Sequence, residues 1–104
     1  MIEVGAAGAV LALDEPAVVW TTAHGVPQRM QWRGREFLVC AKPVPWVDRV
    51  PWWQVAERAP AGLGAELLER PMWQVQALSD DGADVVRLDL AVGEDWWRVI
   101  RMYE

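Results

Sequence analysis

The chain has one Cys, one His, one Ser, one Lys and no Asn among its 104 residues. Each scarcity excludes something. A single Cys forbids an internal disulfide framework, and one Cys with one His cannot build a structural zinc site. Nucleophilic catalysis needs a Ser, Cys or Thr with an oriented base. Here Ser79 falls in a turn beside Asp80 and Asp81, Cys40 falls in an apolar strand where a buried, inert thiol is expected, and His24 precedes a turn glycine with no second His to pair with it. No Lys or Arg precedes Arg29, so the basic start of a signal peptide is missing. The apolar run Val4–Leu13 is too short to span a bilayer, which takes about 20 residues. These features imply a reduced, cytoplasmic setting, no membrane, no metal and no cofactor. The acids are plentiful, but nothing in the sequence singles out a catalytic pair, so no enzyme activity is expected; a small enzyme of unknown class is the third reading, behind the two binding readings below.

What is abundant is tryptophan. There are eight, against one Phe and one Tyr. At 53% hydrophobic and 24% charged the chain is globular in composition, and its length suits one domain over residues 1–104. The formal charge is −5 and is unevenly spread. Residues 1–23 are acidic, residues 24–58 are basic and carry four of the tryptophans, and residues 59–104 are acidic again. An acidic total argues against non-specific grip on a polyanion, although a local basic face is compatible with it.

Turns punctuate the chain at short intervals. His24-Gly25-Val26-Pro27, Arg33-Gly34-Arg35, Ser79-Asp80-Asp81-Gly82 and Val92-Gly93-Glu94-Asp95 each combine Gly with turn formers. Between them lie β-rich runs: Ala17–Thr22, Gln28–Trp32, Glu36–Ala41, Met72–Leu78, Asp84–Val92 and Trp96–Tyr103. Two of these alternate at period two, the signature of a half-buried strand. Trp73, Val75 and Ala77 oppose Gln74 and Gln76, and Val86, Leu88, Leu90 and Val92 oppose Val85, Arg87 and Asp89. The pattern predicts an all-β domain: an antiparallel meander of six or seven strands curled into an open barrel or half-barrel, with residues 1–16 a weakly structured or edge segment.

The middle holds five prolines between Pro43 and Pro71, which argues against central strands there. Short helices at Trp52–Arg58 and Leu63–Arg70 are one reading of this stretch, and an irregular edge strand over Trp46–Trp53 is another. Asp80–Asp84 lacks the oxygen spacing of a calcium loop and reads as a hairpin turn.

The tryptophans carry two readings. In the first they are core, replacing scarce Phe, Tyr and Ile, each ring burying about 150–250 Å². In the second, some join neighbouring arginines in a recognition surface, since Trp and Arg dominate binding hot spots. Adjacent strand residues face opposite ways, so in each of the pairs Trp52-Trp53 and Trp96-Trp97 only one ring enters the core easily. The candidate surface is Trp32, Arg33 and Arg35 with Trp46, Arg49, Trp52 and Trp53. It suits a protein partner, or single-stranded nucleic acid stacked on the indoles.

Several motifs recur in a fixed order: Gly25-Val26-Pro27, Trp32-Arg33-Gly34-Arg35-Glu36-Phe37 with Val39, then Trp46, Trp52-Trp53, Trp73-Gln74-Val75, Leu88, and Trp97 with Tyr103-Glu104. Over residues 17–104 this resembles a small tryptophan-rich actinobacterial family of unknown function, whose members lie beside, or fused to, Y-family translesion DNA polymerases. The resemblance implies a link to DNA-damage tolerance without defining a reaction. Taken with the missing catalytic constellation, it leads to the expectation of a non-enzymatic binding or adaptor module, with a repair polymerase or associated factor as partner. This chain departs from the pattern at Gln74, where Arg is usual, and in an apparent insertion over Pro60–Glu69.

Overall fold

The computed structural model describes residues 9–51 and 67–104. Seven strands run through them: β1 (Val10–Thr21), β2 (Pro27–Trp32), β3 (Arg35–Val39), β4 (Val44–Pro51), β5 (Leu67–Ser79), β6 (Val85–Ala91) and β7 (Trp97–Tyr103). All pairings are antiparallel. The sheet order is β3-β2-β1-β7-β6-β5-β4, and β3 also pairs with β5. That extra pairing closes six strands into a barrel and leaves β4 outside it, attached to the first half of β5. Closure goes beyond the open or half-barrel expected, and it removes the edges that β3 and β5 would otherwise expose.

The alternating patterns place the core as read. Val75, Ala77, Leu88, Leu90, Trp97 and Val99 point inward and join Ala17, Met30, Trp32 and Phe37. Small barrels are filled by such side chains rather than hollow. Each large one contributes about 1.5–3 kcal/mol relative to exposure.

Two hairpin turns follow from local chemistry. Arg33 and Gly34 are the only residues between paired Trp32 and Arg35, and both have positive φ, 54° and 72°. This is the two-residue turn whose twist matches the flanking strands. Arg33 holds a conformation that side chains other than Gly disfavour, and its contacts, described below, compensate. At the β5–β6 turn, Ser79 Oγ donates to Asp81 Oδ1 at 2.6 Å and accepts from Asp84 N at 3.0 Å.

The proline-rich middle differs from expectation. Residues 67–70 are strand, not the end of a helix, and β5 continues through Pro71 although it has strands on both sides. The backbone explains this. The Pro71 carbonyl accepts from Val92 N at 3.1 Å, so its ring nitrogen lies on that same side, just beyond the end of β6. The ladder to β4 therefore loses nothing. By alternation, Pro45 and Pro51, opposite Trp73 and Leu67, turn their nitrogens to the outer edge of β4. The helix expected at Trp52–Arg58 lies outside the described residues, as does the first half of Leu63–Arg70.

Strand β1 begins at Val10, seven residues before the run read from Ala17, and its first part pairs with β7. Cys40 is exposed rather than buried. It lies one residue past β3, where its N–H donates to Gln76 O at 2.8 Å and the chain shifts toward β4.

Candidate functional site at Trp96

Trp96 and Trp97 divide as adjacent strand-entry residues must. Trp97 is buried at 8% exposure, while Trp96 is 62% exposed. The turn before β7 fixes this. A Cβ added to Gly93 would overlap the Trp96 carbonyl group, so only glycine permits the close approach that presents the Trp96 ring.

Concavities flank that ring. A cleft of about 450 Å³ is lined by Leu13, Asp14, Arg70, Ala91, Val92, Gly93, Arg98 and Ile100 together with Trp96. It lies over an irregularity in the sheet. Ile100 is extra on β7 relative to β6, where Asp89 pairs Arg101 but Leu90 pairs Val99. Leu13 and Asp14 bulge from β1 at the same level. Bulges re-aim side chains and often border functional surfaces. A second cleft, about 190 Å³, runs from Trp96 to Val18, Gln31, Arg33 and Gly34.

The arginines here are already engaged. Arg33 forms a fork on Glu15, Nε to Oε1 at 2.8 Å and Nη2 to Oε2 at 2.9 Å, and its guanidinium lies 4.4 Å from the Trp32 ring centre. Trp32 Nε1 donates to the same Glu15 at 3.0 Å. The Arg33 hydrogen bond, with a smaller one from Trp32, holds the Glu15 carboxyl below the usual carboxylate range against an opposing desolvation. Arg98 pairs with Asp14 through both its side chain and its carbonyl.

The residues singled out from the sequence therefore scatter. Trp32 belongs to the barrel core at 3% exposure and offers no face for stacking. Arg33 sits beside the second cleft. Arg35 points to the β5–β6 turn, 2.9 Å from Asp84 and 3.6 Å from Asp81. Trp46 lies on β4, outside the barrel, with the Arg101 guanidinium 5.6 Å from its ring centre. Arg49 faces Glu69 at 3.8 Å. Trp52 and Trp53 lie outside the described residues.

Beside Trp46 is a polar cluster that alternation alone concealed. Asp89 points away from the barrel core, as its position on β6 requires, yet it is fully buried. Its Oδ2 accepts from Tyr103 Oη at 2.6 Å and Arg101 Nη1 at 3.2 Å, and Gln74 Nε2 approaches Oδ1 at 3.4 Å. Arg101 also lies 3.7 Å from Asp48, which accepts from Arg70 at 2.9 Å. The bond to Asp89, then burial, pushes the Tyr103 phenol up. Two acids balance two arginines, so the cluster ties β4, β5, β6 and β7 together with no net charge. Its carboxylate is closed to solvent and taken by donors, which suits structure rather than proton transfer. Among the described residues no three His, Cys, Asp or Glu side chains form a metal-ligating group. No helix of the described residues is long and apolar enough to cross a membrane.

Fold and site together define an all-β barrel module whose charged groups near Trp96 are largely neutralised from within. By sequence the chain belongs to the family described as Domain of unknown function (DUF6504), whose model matches residues 4–104. No curated protein and no solved structure matches it.

Proposed function

We propose that this domain is a non-enzymatic binding or adaptor module that recognises a protein partner through the Trp96 face. One observation carries the reading. Arg33 and Arg98, the guanidiniums flanking the exposed indole, are each held by a carboxylate, Glu15 and Asp14. A phosphate-binding face needs uncompensated cations. A mostly exposed Trp beside guanidiniums already paired with carboxylates suits a protein hot spot instead. The cytoplasmic setting read from the sequence belongs to this proposal, as does the link to DNA-damage tolerance. The latter rests on the resemblance to families beside Y-family polymerases, and makes such a polymerase, or a factor associated with it, the partner to test first.

The test is calorimetric titration of the domain with the Y-family polymerase of the same organism, in parallel with a fluorescent single-stranded oligonucleotide. The expected result is polymerase binding weakened by about 2 kcal/mol in Trp96→Ala, the scale of a hot-spot residue. Oligonucleotide binding that falls steeply with salt would replace this reading with a nucleic-acid module.

A further inference from the structure

The strand registers line up one row of outward residues across five strands of the barrel. Trp20 on β1 pairs with Arg29 on β2, Arg29 with Leu38 on β3, Leu38 with Leu78 on β5, and Leu78 with Val85 on β6. The inward neighbours Val19, Met30, Phe37, Ala77 and Val86 belong to or pack on the core, so the row itself faces outward. It is apolar and accessible: Trp20 is 39% exposed, Leu38 54% and Val85 56%. The row exists only because the barrel closes, since the β3–β5 pairing brings Leu38 against Leu78.

Arg29 gives the row its chemistry. Its guanidinium lies 4.3 Å from the Trp20 ring centre. Arg33, Arg35, Arg49, Arg70, Arg98 and Arg101 each have a carboxylate partner. Among the described residues Arg29 and Arg87 have none; Arg87 lies off the row, opposite Gln76, whereas Arg29 is in it, and the neighbouring indole leaves its hydrogen-bonding edge for an incoming acceptor. We infer that this row is a docking strip for an acidic–aliphatic peptide segment of a partner protein: a carboxylate paired with Arg29, with an adjacent apolar side chain seated over Leu38, Leu78 and Val85. The inference rests on the binding-module reading and gives it a second contact surface and a ligand chemistry.

Charge and size select this occupant. The row contains a cation and no acid, so a second copy of the same row does not complement it. Its five residues fall short of the roughly 20–30 residues a side of a stable protein interface. A short segment is the better fit. One cation in a chain of net charge −5 is too few for a phosphate backbone.

The experiment is selection of a phage-displayed library of random linear peptides on the whole domain, followed by anisotropy measurements with the enriched peptides made synthetically. The enriched peptides are expected to share an acidic residue next to an aliphatic or aromatic one. Arg29→Glu and Leu38→Asp, both on the surface and checked for folding by circular dichroism, each weaken binding at least tenfold. Exchanging the peptide acid for Lys restores binding to Arg29→Glu, a charge swap that a merely structural role would not produce. No enrichment, enriched peptides without an acid, or indifference to both substitutions overturns the inference. So does oligo(dT) binding that depends on Arg29, which makes the strip a nucleic-acid platform, or self-association abolished by Leu38→Asp, which makes it a dimer surface. A polymerase that binds wild type and both variants equally defeats the strip while leaving the adaptor reading intact. Peptide binding at the strip without polymerase binding defeats only the named partner.

Discussion

Replacing Asp89 by Ala tests whether the cluster outside the barrel holds the fold together. The carboxylate is fully buried and accepts from Tyr103 Oη at 2.6 Å and Arg101 Nη1 at 3.2 Å. Hydrogen bonds to charged groups contribute about 1.5–3 kcal/mol each. The Gln74 contact, at 3.4 Å, is too long to add much. The Arg101 side chain is 29% exposed and keeps Asp48 at 3.7 Å, so its loss falls at the lower end of that range. The expected destabilisation is therefore about 3–4 kcal/mol, a large share of the about 5–15 kcal/mol that holds a domain folded. At about 4–8 °C per kcal/mol the melting temperature drops by roughly 12–30 °C. Urea unfolding followed by circular dichroism measures this, with the slope against denaturant unchanged. Tyr103→Phe alone is expected to cost about 1.5–3 kcal/mol, and the double-mutant cycle with Asp89→Ala to show strong coupling, because both remove the same bond. A triple change of Asp89→Leu, Arg101→Met and Tyr103→Phe is expected to recover much of the loss, since apolar replacement of a buried charge together with its partners is often neutral and Asp48 keeps its pair with Arg70. An Asp89→Ala protein within about 0.5 kcal/mol of wild type, or an additive cycle, would refute the reasoning.

Three other outcomes follow from particular contacts. Trp97→Ala is expected to lose about 3–5 kcal/mol as a core truncation, whereas Trp96→Ala stays within about 0.5 kcal/mol, both read by urea denaturation. Gly93→Ala is expected to lower the melting temperature and to change the fluorescence of the exposed indole, because the added carbon overlaps the Trp96 carbonyl group and the turn must move. The pH dependence has two sides. Glu15, through Arg33 first, and Asp81, through Ser79 first, are both held below the ordinary carboxylate value. Their contribution is present above the unfolded value, about 4, and is lost as pH falls through the lower folded values. Tyr103 is raised, so its contribution is full below the unfolded value near 10 and is lost as pH rises through the folded one. Thermal melts between pH 2 and 6 on Glu15→Gln, and ultraviolet titration of the phenol with and without Tyr103→Phe, check the two arms.

The all-β class, the two alternating strands, the Arg33-Gly34 turn and the split between Trp96 and Trp97 were all legible in the sequence, because each depends on neighbours within a few residues. Period-two alternation names the inward face of a strand whatever it later pairs with. It does not say what lies against the outward face. Asp89 therefore read as an ordinary solvent-facing acid, and only the convergence of Gln74, Arg101 and Tyr103 buries and satisfies it. Trp32 failed the other way. Its neighbours Arg33 and Arg35 suggested a surface, while its own strand position turned the ring inward. Pro71 looked like a strand breaker because its missing donor is a local property, but whether that donor is needed depends on where β6 ends.

Charge shows the same division most clearly. The sequence by itself determined that the middle third of the chain is basic and the thirds around it acidic. Only the tertiary structure decided that these segments neutralise one another, Glu15 taking Arg33 and Asp84 taking Arg35 across the barrel, while Arg29 is left over Trp20 among apolar neighbours. The reason is that local patterns set which way a side chain points, whereas the register of closure sets what it meets.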